Sequence, residues 1–143
     1  MGVKLGTEEI RYIGLFESLT GATVMDCILE NDNGRVVFVV KEGEVGLAVG
    51  KRGANIKRVR DLIGKSVEVI EYSDDPTSFV KNILRPARIR SAHVSEQKGN
   101  KNVVMLDVPK KDRGLAIGKN GKNIGRAKYL MKRHHNIDDV MII

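Results

Sequence analysis

Apolar positions in the first half of the chain follow helical and strand spacings in turn. Helical spacing begins after Thr7, a predicted N-cap residue, and continues as far as Gly21. The run 35–40 does not alternate, which predicts a strand buried on both faces. An Asn-Gly turn at 31–34 precedes that strand. The other elements predicted here are a strand at 24–30, helices at 45–49 and 55–63, and a strand at 67–72.

The second half of the chain predicts the same order of elements. Asp74 and Asp75 precede Pro76, so we interpret them as turn and helix-cap residues at the start of a helix that reaches Leu84. The remaining predictions are strands at 92–96 and 103–108, a short helix from Arg113, a helix to about Arg133 and a strand at 140–143. Both halves therefore have the order α-β-β-α-α-β.

The residues themselves also repeat. The segment that starts at Gly46, GLAVGKRGANIKRVRDL, returns from Gly114 as GLAIGKNGKNIGRAKYL, an offset of 114 − 46 = 68 residues. The same offset aligns the apolar run 36–40 with 104–108. Chance similarity between two glycine- and lysine-rich stretches would not also align the strand before them. We predict two copies of one unit, which divide the chain into domains at 1–73 and 74–143.

Positive charge is concentrated around two glycine loops. The chain has 143 residues and a formal net charge of +7, whereas residues 1–45 hold four basic and eight acidic side chains. No acid lies between Gly46 and Arg60. This distribution favours a polyanionic partner, nucleic acid before membrane. With three Tyr, three Phe and no Trp, the chain does not fit RNA-binding modules that stack bases on aromatic side chains.

The two loops have the form G-x-x-G and lie between predicted helices, at 50–53 and 118–121. Glycine has no Cβ, so a sugar–phosphate backbone can approach the peptide closely, and the following helix directs its free N–H groups there. A Walker A loop is excluded, because Gly46 and Gly50 enclose three residues rather than four. The predicted RNA-binding residues are Gly50, Lys51, Arg52, Gly53, Lys57, Arg58, Arg60, Gly118, Lys119, Asn120, Gly121, Lys122, Arg126 and Lys128.

No pattern in the chain indicates catalysis, a metal or a cofactor. No nucleophile is spaced near a general base, and His134 with His135 has no cysteine partner, so we expect these histidines to be solvated or near a helix C-terminus. Cys27 is the single cysteine and is expected to be a buried apolar residue. Glu44 is a predicted helix cap. Since no nucleophile is paired with a base, we expect a protein that is not an enzyme. The chain starts without an apolar signal segment, so we expect a cytoplasmic location.

The loops and one further segment resemble a known family. Gly50-Lys51-Arg52-Gly53 and Gly118-Lys119-Asn120-Gly121 are similar to the G-x-x-G loops of two prokaryotic-type KH domains in tandem. The segment 75–87, DPTSFVKNILRPA, resembles the inter-KH signature of the NusA transcription factors, with an aromatic, an Asn, a Leu and Pro-Ala at matching spacing. The resemblance extends from about Thr7 to Ile143 and is strongest to the short archaeal members of that family.

This resemblance implies an α+β fold of two type II KH domains, each with a three-stranded mixed sheet covered by helices. It implies a transcription elongation, termination or antitermination factor that binds single-stranded RNA, each loop holding the backbone of about four nucleotides. RNA polymerase is an implied partner, and we expect a monomer. The implied groove walls are Leu47, Ala48, Val49, Ile56, Val59 and 36–40, and then Leu115, Ala116, Ile117, Ile124 and Ala127. Apolar periodicity also places most of these positions in the core, and for each single residue core packing is the favoured interpretation.

Two other interpretations remain open. A KH protein of ribosome biogenesis would bind RNA through the same loops. A protein-binding scaffold would use the basic surface against acidic proteins.

Overall fold

The computed structural model describes residues 5–30 and 33–143, which form two compact units. The first unit is Met1–Tyr72 and the second is Ser73–Ile143, which places Ser73 in the second unit rather than the first. The first unit contains α1 (Thr7–Thr20), β1 (Val24–Glu30), β2 (Arg35–Val40), α2 (Val45–Val49), α3 (Ala54–Ile63) and β3 (Ser66–Glu71).

The second unit repeats these elements in the same order. It contains α4 (Pro76–Leu84), β4 (Ser91–Gln97), β5 (Lys101–Asp107), α5 (Arg113–Ile117), α6 (Lys122–His135) and β6 (Asp139–Ile142). A short 3₁₀ turn separates the last two helices of each unit, at Lys51–Gly53 and at Lys119–Gly121. A further 3₁₀ turn, Lys110–Asp112, leads into α5.

Each unit has a mixed three-stranded sheet. In the first unit β2 is central, antiparallel to β1 and parallel to β3. In the second unit β5 is central, antiparallel to β4 and parallel to β6. A parallel neighbour requires a crossover connection, and the two helices that flank each 3₁₀ turn supply it. The predicted α+β fold with mixed sheets is therefore confirmed.

The core of each unit lies between its sheet and its helices. In the first unit the rings of Phe16 on α1 and Phe38 on β2 stack with centroids 4.2 Å apart. The residues 36–40 are all fully buried, as the absence of alternation predicted. In the second unit the largest fully buried side chains are Phe79, Leu84, Leu106, Leu130 and Met131.

The starts of three helices show which of the predicted caps are present. Thr7 is not an N-cap, because the Gly6 carbonyl accepts the first helical hydrogen bond from the Ile10 N–H at 3.0 Å. Glu44 occupies the N-cap position of α2 without capping it, since its carboxylate accepts from the Thr23 N–H at 2.6 Å instead. Asp75 is confirmed as the N-cap of α4, with Pro76 at the first helical position.

One further sequence prediction falls partly outside the described residues. The predicted turn at 31–34 begins with Asn31 and Asp32, which lie outside the described residues. Its second half is described, and there the Asn33 side chain accepts from the Arg35 N–H at 3.1 Å.

Among the helices of the described ranges, none is long and apolar enough to cross a membrane.

Candidate nucleic-acid interface

The first G-x-x-G loop is a tight turn that depends on left-handed backbone angles. Gly50 has φ 79° and ψ 171°, and Gly53 has φ 76° and ψ 17°. Between them, Arg52 adopts φ 56° and ψ 28°, a conformation rare for a residue with a Cβ. The Gly53 N–H donates to the Gly50 carbonyl at 3.1 Å and closes the turn. The turn therefore holds Lys51 and Arg52 at its tip.

The second loop has nearly the same geometry. Gly118 has φ 78° and ψ 168°, Asn120 has φ 58° and ψ 26°, and Gly121 has φ 74° and ψ 17°. The Gly121 N–H again donates to the Gly118 carbonyl at 3.1 Å. Asparagine is among the few non-glycine residues that tolerate this region well, so the second loop places less strain on its third residue than the first does.

One asparagine supports each loop, at the fifth position after its first glycine. The Asn55 side-chain amide donates to the Leu47 carbonyl at 2.9 Å, and Asn123 makes the same bond to Leu115 at 2.9 Å. Each asparagine thus connects the helix after the loop to the helix before it. We did not predict a role for these asparagines, although their identity at the 68-residue offset was a signal that could have indicated one.

The same asparagines explain why the first glycine of each loop has no side chain. A Cβ added at Gly50 would lie 2.7 Å from Asn55 Cγ and 2.8 Å from the Asn55 backbone nitrogen. At Gly118 the distances to the corresponding atoms of Asn123 are 2.7 and 2.9 Å. Such contacts are far inside van der Waals distance, and one partner in each is backbone. Steric space and backbone angle therefore both require glycine there.

The helix after each loop begins without a side-chain cap. Gly53 is the N-cap of α3 and Gly121 is the N-cap of α6, and neither helix start has a side-chain hydrogen bond or an acidic residue in its first turn. The N–H groups of a first helical turn have no partner within the helix, and the helix dipole adds partial positive charge there. Each loop thus combines uncapped N–H groups with exposed side chains at Lys51, Arg52, Lys119 and Asn120.

The predicted basic residues beyond the loops differ between the units. On α3, Lys57, Arg58 and Arg60 are all exposed. On α6, Lys128 is exposed and forms an ion pair with Asp139, with Nζ 3.4 Å from Oδ1. Lys122 is half-buried at the start of that helix.

Arg126 stands apart from the other candidates. Its position matches exposed Arg58 at the 68-residue offset, yet it is only 7% exposed. Burial leaves little of its side chain available to a ligand, so Arg126 is not among the surface cations that we consider further. Sequence identity at the repeat offset did not reveal this difference, because it depends on which helix covers α6.

The predicted groove walls divide into core and surface residues. Ala48, Val59, Ala116 and Ala127 are fully buried, as is 36–40, so these positions belong to the core rather than to a groove. Leu47 and Leu115 are 49% and 46% exposed, and Ile117 is 42% exposed. The apolar surface beside each loop therefore consists of the exposed leucine of α2 or α5 with its half-buried neighbours, which are Val49, Ile56 and Ile124.

The histidines at the end of α6 are packed rather than solvated. His135 Nε2 lies 2.8 Å from the Ser73 carbonyl oxygen, within the second unit. The rings of His134 and His135 also meet the Phe79 ring edge-on, with centroids 5.8 and 5.5 Å away. The alternative prediction, a position near a helix C-terminus, is right. In the described part of the chain, no group of three potential ligand side chains is arranged to hold a metal.

Cys27 is buried on β1, as predicted. Burial, with a smaller effect of the nearby carboxylates of Glu9 and Asp26, raises the pKa of its thiol to about 12. A thiol of this kind is protonated at neutral pH and is a poor nucleophile.

Two helices around a G-x-x-G turn, packed on a mixed sheet and present twice, define a tandem KH-domain protein. The family model described as "KH domain" matches residues 9–96. The model described as "NusA-like second KH domain" matches residues 76–141.

Three relatives are each named "Probable transcription termination protein NusA". The protein of Methanocaldococcus jannaschii is 40% identical over 141 residues, which cover 99% of this chain and 75% of that one. That of Methanococcus vannielii is 41% identical, covering 100% and 81%. That of Halobacterium salinarum is 38% identical, covering 99% of both chains. The crystal structure of APE1850 is also similar, with a TM-score of 0.81, 41% identity and coverage of 97% of this chain and 100% of that one.

The chain belongs to the NusA family, in its archaeal form, and the resemblance seen in the sequence is thereby confirmed. Members of this family are RNA-binding factors and not enzymes, in agreement with the sequence prediction.

Proposed function

We propose that this protein is a transcription elongation, termination or antitermination factor that holds single-stranded RNA through both G-x-x-G loops. The observation that carries the proposal is the paired loop geometry. The φ and ψ angles of the first, third and fourth residues agree within a few degrees between the two loops, and each loop has an exposed lysine at its second position. Each turn, with its glycines and its basic tip, suits the phosphates of a single strand.

In the proposed complex, the sugar–phosphate backbone lies against the two glycines of each loop. The uncapped N–H groups of α3 and α6 face phosphate oxygens, and Lys51, Arg52 and Lys119 donate charge-assisted hydrogen bonds to them. The bases lie on the apolar surface beside the loop, where Leu47 and Leu115 are exposed. An unstacked base can reach such a surface, whereas a base within a duplex cannot, so single-stranded RNA is the preferred ligand.

The transcription role is supported by the names of the relatives, which describe termination proteins. We propose that the transcription complex, including RNA polymerase, is the partner in the cytoplasm, and that the protein acts as a monomer. Ribosome biogenesis is the rival for an RNA-binding chain. Pull-down of RNA polymerase as against pre-ribosomal particles separates the two.

Charge reversal at the loop tips tests the RNA contact. The variants Lys51→Asp with Arg52→Asp, and Lys119→Asp with Asn120→Asp, put acids where phosphates are expected. Each lost charge-assisted bond contributes about 1.5–3 kcal/mol, so RNA affinity should fall on the order of tenfold or more while thermal unfolding changes little. Filter binding with short pyrimidine-rich and purine-rich RNAs measures the affinity.

A matched control lies on the β4–β5 hairpin. Lys98→Asp with Lys101→Asp changes the net charge by the same four units as the first loop variant, on exposed side chains that no site includes. We expect the control to retain most of the RNA affinity. Unaltered affinity in both loop variants would refute the proposed contact, and absence of any RNA binding by the parent chain at low salt would favour the protein-binding scaffold.

A further inference from the structure

A cleft opens between α1 and α3 of the first unit, at the end of α3 that lies away from the G-x-x-G loop. Its volume is about 340 Å³, and its lining residues are Arg11, Tyr12, Leu15, Leu62 and Ile63. We call it the α1–α3 cleft. None of the predicted RNA-binding residues is among those that line it.

The α1–α3 cleft presents apolar surface that the repeat does not reproduce. Leu62 is 62% exposed, the largest exposure among the large apolar residues of the described chain, and Leu15 and Ile63 are half-buried. The residues that match Leu62 and Ile63 at the 68-residue offset are Leu130 and Met131, and both are fully buried. The exposed leucine is therefore a property of the first unit and not of its fold type.

Basic groups border this apolar surface. The Arg11 guanidinium carbon lies 5.3 Å from the centroid of the Tyr12 ring, and the Lys65 ammonium lies 5.9 Å from the same centroid. Arg58, one helical turn before Leu62, adds a third cation on the same side of α3. The opposing acids are Glu8 on α1, one turn before Arg11, and Asp61, which directly precedes Leu62 on α3. Positive charge thus exceeds negative charge around the opening.

The state of Tyr12 argues against a nucleobase as the occupant. The residue is only 7% exposed, and Arg11 and Lys65 already cover its ring. The Tyr12 ring therefore offers no open aromatic face on which a base could stack. What the cleft does offer is aliphatic surface for an apolar anchor and cations for carboxylates.

We propose that the α1–α3 cleft binds an acidic peptide segment of a protein partner. An apolar side chain of that segment occupies the space between Leu15, Leu62 and Ile63, and its neighbouring carboxylates pair with Arg11 and Lys65. Anchors of this kind, buried in a pocket with a charged rim, contribute most of the affinity in peptide recognition.

The position of the cleft permits RNA and protein to bind together. Helix α3 has ten residues, so its two ends are about 15 Å apart at 1.5 Å per residue. The loop is at its first residue, and Leu62 and Ile63 are at its last turn. Simultaneous binding rests on the proposed RNA function, whereas peptide binding at the cleft does not depend on it.

A peptide selection tests this proposal. A random twelve-residue library displayed on phage is selected against the full chain and counter-selected against Leu62→Asp. We expect the enriched peptides to combine Asp or Glu with a large apolar residue. Synthetic versions should bind Leu62→Asp and Arg11→Glu about tenfold more weakly than the parent chain in fluorescence anisotropy.

The matched control is Ile10→Asp, which places the same charge on an exposed apolar residue of α1 that does not line the cleft. Its peptide affinity should equal that of the parent chain. Enrichment of no cleft-dependent peptide, or enrichment of basic peptides, overturns the proposal. Filter binding should show that Leu62→Asp keeps the RNA affinity of the parent chain. Peptide binding and RNA binding are thus measured separately, so a wrong cleft proposal and a wrong RNA proposal give different results.

Discussion

At the scale of single residues, the first glycine of each loop carries the strictest requirement. Gly50 has a positive φ of 79°, and a Cβ there would lie 2.8 Å from the Asn55 backbone nitrogen. We expect Gly50→Ala to lower the free energy of unfolding by about 1–3 kcal/mol, because it adds both backbone strain and a steric clash. Urea denaturation measures this change, and RNA affinity should fall with it.

Gly46 provides the matched comparison, since it lies within α2 and an added Cβ would meet nothing within 4 Å. Alanine is the better helix former, so Gly46→Ala should leave the protein as stable as before or slightly more stable. Equal stability losses in the two variants would show that the loop conformation is not what requires glycine at position 50.

The cap of α4 gives a pH-dependent prediction at the same scale. Hydrogen bonds from the Ser78 and Thr77 hydroxyls lower the pKa of Asp75 from its ordinary value. A lowered folded-state pKa means that the cap stabilises the fold above the unfolded-state pKa and that this contribution is lost as pH falls through the folded-state value. Asp75→Ala should therefore lower Tm at neutral pH, and the difference from the parent chain should close in acid.

Asp74→Ala is the control, because Asp74 is the exposed neighbour outside the cap. Thermal scans by circular dichroism between pH 2 and pH 7 measure both variants. A gap in Tm that stays constant across this range would show that Asp75 does not act through its ionised carboxylate.

At the scale of elements, the two loops share a backbone but differ at their third residue. Arg52 in the first loop and Asn120 in the second have φ of 56° and 58°. Since one backbone accommodates either side chain, Arg52→Asn and Asn120→Arg should both fold normally. The first removes one phosphate contact and should reduce the salt slope of RNA binding by about 0.7, and the second should increase it by about as much.

The double exchange is the informative combination, because it keeps the net charge and moves one cation from the first loop to the second. If both loops contact phosphate, the slope of log affinity against log salt should return to that of the parent chain. A double variant that keeps the reduced slope of Arg52→Asn would show that the second loop does not contact the RNA backbone.

The sequence predicted helices and strands better than it predicted any other feature of the fold. Period and repeat predicted all six elements of each unit, since apolar spacing reflects which face meets the core. The helix caps were predicted less well. Thr7 is a typical N-cap residue, yet Gly6 takes that position, and the Glu44 carboxylate accepts from the Thr23 N–H instead of capping α2. The burial of Arg126 could not be predicted from the sequence either, because it depends on tertiary packing around α6 rather than on helical spacing.

At the scale of the whole molecule, acidic and basic residues are unevenly distributed along the chain. Residues 1–45 carry more acids than bases, and the surplus of bases lies at and after the loops. Long-range attraction therefore directs a polyanion toward the loops rather than toward the N-terminal helix and hairpin. The G-x-x-G loops could be predicted from the sequence because they repeat, whereas the α1–α3 cleft could not, because Leu62 differs from Leu130 only in its surroundings.

The most direct test of RNA binding at both loops is an NMR titration of the ¹⁵N-labelled chain with a short single-stranded RNA. The account predicts that the backbone amides at 50–56 and at 118–124 shift most, and that those of the β4–β5 hairpin shift least. Shifts confined to one loop, or spread over the sheets with both loops unaffected, would contradict it.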